Sequence, residues 1–130
     1  MMNERIGEGM NMTKFYRCAQ CGSVFTGSKN GQVSCCGQLL EPLAVQEMDE
    51  LHQLILEEME DEYYIRFNHP MTKEHYIAFV AWTAYDRTMI VQMYPEQNAE
   101  LRMNLPRRGD VYVYCSQHGL FHSKVNFRKQ

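Results

Sequence analysis

The pattern of hydrophobic and polar positions changes near residue 45. From there on, short runs rich in Ile, Val, Tyr and Phe follow one another, and several alternate apolar with polar residues, as strands with one buried face do. The seven runs are HQLILEE, YYIRF, HYIAFVAWTAY, TMIVQMY, AELRMNL, DVYVYC and LFHSKVNF. Turn-forming residues separate them at intervals of about 8 to 12 residues. The pattern therefore predicts a mainly β fold, an antiparallel sandwich over residues 45–127.

One segment of this region allows a second interpretation. The stretch LAVQEMDELHQLILEEME also has apolar residues at spacings that fit one amphipathic helix. The sequence leaves both possibilities open, a helix or a strand.

The first 42 residues differ in composition and in their pattern of apolar residues. Residues 1–12 show no apolar periodicity, and we expect them to form a mobile leader. Residues 13–42 are dense in cysteine and glycine and contain only short apolar stretches. A segment of about 30 residues cannot build a sufficient core by itself. We therefore predict a small module over residues 13–42 that a bound metal holds together.

Composition narrows the classes of function. The chain has 130 residues, of which 45% are hydrophobic, enough for a small module joined to a larger domain. A net charge of -3 argues against nucleic acid as the main partner, since phosphate binding needs a basic face. No apolar run approaches about 18 residues, and the N-terminus has no signal-peptide pattern. We expect a soluble cytoplasmic protein without a membrane partner, in which clustered cysteines are more often metal ligands than disulfides.

Four of the five cysteines form a first group of candidate ligands. Cys18 and Cys21 form a CxxC motif, and the adjacent Cys35 and Cys36 follow after 13 intervening residues. Neighbouring thiols cannot easily bridge to each other, but four thiolates from two short segments can close a tetrahedral zinc or iron site. A glycine after each pair permits the tight turns that such a site needs. Since one peptide must serve two corners, we expect a distorted site; a purely structural zinc remains possible.

A second group of candidate ligands lies in the β region. It consists of two pairs and one single residue: His69 and His75 in HPMTKEH, Cys115 and His118 in CSQH, and His52. Pro70 predicts a turn that could bring the first pair to one point, and Gly119 allows the same for the second. Together the five residues would offer four imidazoles and one thiolate. His122 has no matching partner pattern and is predicted to be an ordinary strand residue.

The two groups together resemble the desulfoferrodoxin family, the two-iron superoxide reductases. The matching elements are FYRCAQCG, CCG, HPMTKEHYI and YCSQHGLF, and the resemblance covers roughly residues 13–122. It implies a desulforedoxin-like module followed by an immunoglobulin-like β-sandwich. It also implies one iron bound by Cys18, Cys21, Cys35 and Cys36, and a second iron bound by His52, His69, His75, His118 and the axial Cys115. Zinc is a possible substitute in the four-cysteine site.

The chain departs from the family at one motif. Where the family has Glu-Lys-His, this sequence reads Glu50-Leu51-His52. In the family the lysine attracts and orients superoxide, and the glutamate can occupy the open iron position in the oxidised state. The loss of a positive charge at Leu51 should weaken anion steering. Lys73 lies between two proposed ligands and could compensate in part, so Glu50 and Lys73 are the catalytic candidates.

The resemblance implies the one-electron reduction of superoxide to hydrogen peroxide, with a rubredoxin-like protein as electron donor and a homodimer as the assembly. Two alternatives stay open. The first is an iron-containing module that senses redox state or oxygen species without efficient turnover, which Leu51 favours. The second is a zinc-stabilised binding protein with no redox role.

Overall fold

The computed structural model describes residues 13–27, 31–60, 62–84, 87–103 and 108–126. Every regular element in these ranges is a β-strand, which confirms the predicted mainly β fold and makes the helical alternative wrong. Accordingly, no helix in the described ranges is long and apolar enough to cross a membrane. The predicted leader, residues 1–12, and residues 127–130 lie outside the description, so the predicted outer domain bounds stay predictions.

The described residues fall into two compact units, one ending at Ala44 and the other beginning at Val45. The N-terminal unit consists of two antiparallel hairpins. Strand β1 (Lys14–Arg17) pairs with β2 (Val24–Gly27), and β3 (Val33–Cys35) pairs with β4 (Gln38–Leu40). Among its described residues only Phe15, Tyr16 and Cys18 are buried. Because isolated two-stranded hairpins are at best marginally stable, this unit needs a cross-link.

The C-terminal unit is a two-sheet sandwich. Its strands are β5 (Val45–Glu47), β6 (Ile55–Met59), β7 (Glu62–Arg66), β8 (Ile77–Ala84), β9 (Arg87–Gln92), β10 (Glu100–Met103), β11 (Arg108–Cys115) and β12 (Gly119–Asn126). One sheet has the order β10-β7-β6 and the other β5-β12-β11-β8-β9. Side chains from both sheets share one core, for example Ile65 and Met103 from the first with Val80, Trp82 and Val113 from the second. The predicted sandwich is confirmed.

One strand was not predicted. Strand β5 joins the edge of the larger sheet parallel to β12, with Val45 opposite Leu120, whereas the sequence pattern predicted antiparallel strands throughout. All three of its residues are exposed, so no alternation of apolar and polar residues marks it. Its backbone is fixed instead by pairing with β12, and the next residue continues this contact, since Met48 N donates to His122 O at 3.1 Å.

Three connecting segments of this unit carry its predicted histidine ligands, and Cys115 is the last residue of β11. These segments are the turn between β5 and β6, the loop between β7 and β8, and the short turn between β11 and β12. The last two are joined by hydrogen bonds: Tyr76 N donates to Ser116 Oγ at 3.0 Å, Ser116 N donates to Tyr76 O at 2.8 Å, and Gln117 Nε2 donates to Glu74 O at 2.8 Å. These contacts hold the two loops side by side.

Candidate metal centres

The four cysteines of the N-terminal unit converge on one point. Their sulfur atoms all lie within 4.8 Å of one another, and none of them is in a disulfide. The sulfur atom of Cys35 lies 3.6 Å from that of Cys21 and 3.9 Å from that of Cys36. In a tetrahedral site with metal–sulfur bonds of about 2.3 Å, neighbouring sulfurs are about 3.8 Å apart. The arrangement therefore fits a tetrahedral metal ion.

The adjacent cysteines owe their positions to a tight hairpin. Cys35 is the last residue of β3 and pairs with Gln38, so Cys36 and Gly37 form a two-residue loop. Their φ angles are +54° and +78°, as a type I′ turn requires at both positions. For a non-glycine residue such as Cys36 this conformation costs about 1–2 kcal/mol. The two sulfur distances from Cys35 are close to those of a regular tetrahedron, so the predicted distortion of the site stays a prediction.

The CxxC pair lies on a second tight turn. Gly22, with φ of +79°, donates its N–H to Cys18 O at 2.8 Å. The hydroxyl and amide of Ser23 next to Cys21 lower the pKa of that thiol to about 6, whereas the neighbouring sulfur of Cys21 and then burial raise the pKa of Cys35 to about 12. Four thiols this close cannot all ionise on their own, so a cation is the partner that allows four thiolates.

Four imidazoles of the C-terminal unit form a closed ring. The ring centres of His52 and His69 lie 5.0 Å apart, those of His69 and His75 4.6 Å, those of His75 and His118 5.0 Å, and those of His118 and His52 5.2 Å. If each imidazole nitrogen lies about 2.1 Å from a central ion and neighbouring nitrogens are 90° apart around it, the centres of neighbouring rings lie roughly 4.6 Å apart. Cys115 is fully buried, and its sulfur lies 3.5 Å from His118 Nδ1. The structure thus brings the five predicted ligands together.

In three of the four imidazoles, the nitrogen without a hydrogen-bond partner is the one that a metal would bind. The Nε2 atoms of His52, His69 and His75 are buried and have no hydrogen-bond partner. The opposite nitrogen of His52 lies 2.7 Å from a carboxylate oxygen of Asp49, and that of His69 lies 2.7 Å from Pro70 O. Since those oxygens can only accept, each Nδ1 carries the proton and each Nε2 keeps a lone pair.

Leaving such buried nitrogens without a partner is costly. A metal ion between the rings is the partner that these nitrogens lack. His118 differs, because it presents Nδ1 toward the sulfur of Cys115. One donor atom from each of His52, His75, Cys115 and His118 lies within 4.8 Å of all the others. These three imidazoles and one thiolate fit a bound ion. His69 lies outside this group, but its ring centre is 5.0 Å from that of His52 and 4.6 Å from that of His75, and its unpaired Nε2 is the candidate for a fifth donor.

Local hydrogen bonds shape the loop that carries two of the imidazoles. Thr72 N donates to His75 O at 3.0 Å, and His75 N donates to Thr72 O at 3.3 Å. These reciprocal bonds turn the chain so that His75 lies beside His69. Burial is the main cause that lowers the pKa of His69, and the three neighbouring imidazoles add to it while the carbonyl of Pro70 opposes it. The ring is thereby kept neutral, as a ligand must be.

The other ligands are positioned by β11, β12 and β5. A bulge shifts the register between Tyr114 and Cys115, and such a bulge re-aims the side chain at the end of a strand. Gly119, with φ of +98°, closes the three-residue turn between β11 and β12. Gln46 of β5 donates from Nε2 to His118 O at 2.6 Å. His52 is only 2% exposed and stacks on Phe121, with ring centres 4.0 Å apart and planes 11° apart.

Both catalytic candidates lie on ligand-bearing segments. Glu50 is exposed and lines a surface cavity of about 330 Å³ together with Gln53, Ile55 and Asn68. Lys73 is exposed in the loop between His69 and His75. Leu51 is 65% exposed, so its side chain points into solvent.

Sequence reasoning missed three supporting residues. Asp49, Gln46 and Phe121 contact the ligands as described above. The spacing of Asp49 and His52, three residues apart, could have suggested a local turn in which the carboxylate caps the imidazole segment. No sequence signal marks Gln46, because its partner is 72 residues away. His122, predicted to be an ordinary strand residue, lies in β12 with Nε2 2.8 Å from Asp110 Oδ1.

The chain was compared with known proteins by sequence and by fold. No protein-family model matches the chain. A desulfoferrodoxin homolog from Archaeoglobus fulgidus is 30% identical over 118 residues, covering 83% of this chain and 94% of the relative. A desulfoferrodoxin from Clostridium acetobutylicum is 30% identical over 57 residues, or 44% of this chain and 46% of the relative. The crystal structure of the superoxide reductase from Treponema pallidum is similar in fold, with a TM-score of 0.73 at 23% identity, over 88% of this chain and 99% of that one.

Proposed function

The chain belongs to the desulfoferrodoxin family, and we propose that it is a superoxide reductase that converts superoxide to hydrogen peroxide by one-electron reduction. The observation that carries this proposal is the closed ring of four imidazoles with the buried Cys115 sulfur beside it. The four-cysteine cluster and the histidine–cysteine cluster match the two iron sites of the family. Zinc in the four-cysteine site is compatible with the same donors.

The second iron would be held by the Nε2 atoms of His52, His69 and His75, by His118 Nδ1 and by Cys115 Sγ. Iron bound there would supply the single electron that superoxide needs, together with two protons, to leave as hydrogen peroxide. Four neutral imidazoles and one thiolate are five donors, one fewer than an octahedral set, so the chain leaves room for a small oxidant. Because Cys115 is fully buried, water would screen the charge of a metal-bound thiolate there only weakly.

The remaining roles belong to exposed side chains near the ligands. Lys73 is the cation on a ligand-bearing segment, and we assign it the attraction of superoxide, in part replacing the lysine that the family has at position 51. Glu50, which lines the surface cavity with Gln53, Ile55 and Asn68, would occupy the open position when no substrate is present, as the glutamate of the family can. Both assignments rest on the correspondence with the family and on position in the chain.

The wider context of the reaction is proposed on general grounds. A rubredoxin-like donor would return the electron after each turnover. A homodimer would protect the exposed strand edges of the sandwich. The cytoplasm suits a protein with five free cysteines, because that compartment keeps thiols reduced.

Metal analysis and pulse radiolysis test the proposal together. Protein purified in air should contain two irons per chain, or one iron and one zinc, and show thiolate-to-ferric absorption bands. Reduced protein mixed with a pulse of superoxide should produce stoichiometric hydrogen peroxide with second-order kinetics. A Cys115→Ser variant should lose the absorption band of the second site and the reaction. Iron-loaded protein that forms no peroxide would contradict the proposal.

A second candidate, a sensing module without efficient turnover, is favoured by one observation. Leu51 is an exposed apolar residue at the position that, by the resemblance of the motif, corresponds to the steering lysine of the family. A sensor should be oxidised by superoxide once but turn over poorly even with excess electron donor. Repeated peroxide formation with a reduced rubredoxin would rule the sensor out.

A further inference from the structure

Asp49 makes a paired contact with one ligand. Its Oδ1 atom accepts a hydrogen bond from the backbone N–H of His52 at 3.0 Å and a second from the ring Nδ1–H of the same residue at 2.7 Å. The imidazole is 2% exposed, whereas the Asp49 side chain is 52% exposed. A carboxylate at the surface thus reaches a ring that is otherwise enclosed, and Phe121 stacked on that ring fixes its plane.

The other imidazoles have different surroundings. His69 Nδ1 lies against the neutral carbonyl of Pro70, and His118 turns its Nδ1 toward Cys115. Within the ranges that the structure describes, His52 is the one ligand with a carboxylate as its hydrogen-bond partner. The sequence around the ring therefore places a full negative charge behind one corner of the donor set.

We infer that Asp49 is a positioning residue for the second metal centre. Its carboxylate keeps His52 in the Nδ1–H form, directs the free Nε2 lone pair into the ring, and makes that nitrogen a stronger donor. The inference rests on the metal site proposed above and goes beyond it, because it assigns the strength of metal binding and the reduction potential in part to a residue that is not a ligand.

The chemistry sets the direction and size of the effect. A carboxylate behind a metal-bound histidine raises the basicity of the ligand, and loss of such a partner typically weakens metal binding 10–100-fold. A negative charge stabilises a ferric ion more than a ferrous ion, so its removal weakens ferric binding more. Each tenfold difference between these two losses raises the reduction potential by about 59 mV for a one-electron couple.

Two substitutions separate charge from loop structure. In Asp49→Asn the amide oxygen can still accept both hydrogen bonds, so the turn is kept and only the charge is lost. In Asp49→Ala both bonds are lost as well. Asp110→Asn is the matched control, because Asp110 forms the same kind of contact, at 2.8 Å, with His122, which is not a ligand.

The full-length protein is used in each case. Iron affinity of the second site is measured by competition with a chelator, and its potential by redox titration of the ferric band that is absent from a Cys115→Ser variant. Thermal unfolding reports on the fold. These readouts do not depend on superoxide, so they remain informative even if the protein proves not to be a reductase.

The inference predicts that Asp49→Asn weakens iron binding about tenfold or more and raises the potential, with thermal unfolding close to that of the wild type. Asp49→Ala should show at least the same changes, and Asp110→Asn should leave affinity and potential unchanged. Wild-type affinity and potential in Asp49→Asn would overturn the inference, as would equal changes in Asp110→Asn. Failure of the wild type to bind iron at the second site would instead refute the site on which the inference rests.

Discussion

Replacement of Leu51 by lysine should accelerate the reaction with superoxide by an amount that the surroundings of this residue define. Next to it lie Asp49 and Glu50, and the loop that carries two ligands adds Lys73 and Glu74, all of them exposed. Three carboxylates against one ammonium leave an excess of negative charge around the site. Since superoxide is an anion, this excess should slow its approach, and Leu51→Lys halves the net charge of these four side chains and position 51 from −2 to −1.

The magnitude follows from the exposure of the side chain. Because Leu51 is 65% exposed, a lysine there acts largely through water. Unit charges about 6 Å apart in water attract each other by roughly 0.7 kcal/mol, which corresponds to an approximately threefold faster association at low ionic strength. With a Debye length of about 8 Å at physiological salt, the attraction falls to roughly 0.3 kcal/mol and the acceleration to less than twofold.

Pulse radiolysis at about 10 mM and about 150 mM ionic strength measures both effects. Met59→Lys is the matched control, because Met59 is also exposed, at 43%, but lies at the far end of β6, four residues beyond Ile55. We expect the wild-type rate to rise with salt and the rate of Leu51→Lys to rise less. If Leu51→Lys is no faster than Met59→Lys at low salt, steering by position 51 is refuted.

Three further predictions concern stability. Gly119→Ala should destabilise the C-terminal unit by about 1–2 kcal/mol, because φ is +98° and the new Cβ would lie 2.9 Å from Gln46 Nε2. Urea unfolding followed by Trp82 fluorescence measures this loss. Gly27→Ala, whose Cβ would meet nothing within 4 Å, should leave the unfolding midpoint unchanged. The pKa of His69 is lowered in the folded protein from its ordinary value of 6.5, so the unfolded chain binds a proton there more readily than the folded chain does. The metal-free protein should therefore lose stability as the pH falls from about 7.5 to 5, as urea unfolding at several pH values measures. A His69→Asn variant that loses as much stability over this range would contradict this cause. Removal of metal from the four-cysteine site should abolish the hydrogen-exchange protection of β1, because few described residues of the N-terminal unit are buried. Strand β11 of the C-terminal unit should stay protected. Protection that survives in metal-free β1 would show that the hairpins need no cross-link.

The fold was predictable in its class but not in all of its pairings. Runs of alternating or continuous apolar residues predicted the strands from β6 to β12. Burial of one face of a strand requires an apolar residue at every second position, and burial of both faces requires apolar residues at successive positions. Strand β5 has no such apolar pattern, since all of its residues are exposed. Its parallel pairing with β12 depends on a partner some 75 positions further along the chain, and local pattern cannot encode that contact.

The sequence alone determined the identity of the candidate ligands, because cysteine and histidine at short spacings, next to glycine and proline, are local signals of metal chemistry. Its resemblance to the family also predicted that Leu51 stands where the family has a lysine. Only the tertiary structure decided that four imidazoles close into one ring, that three of them turn Nε2 inward, and that Asp49 lies behind His52. The physical reason is that spacing fixes which donors are available, whereas the direction of each donor atom is set by hydrogen bonds and packing between segments distant in sequence.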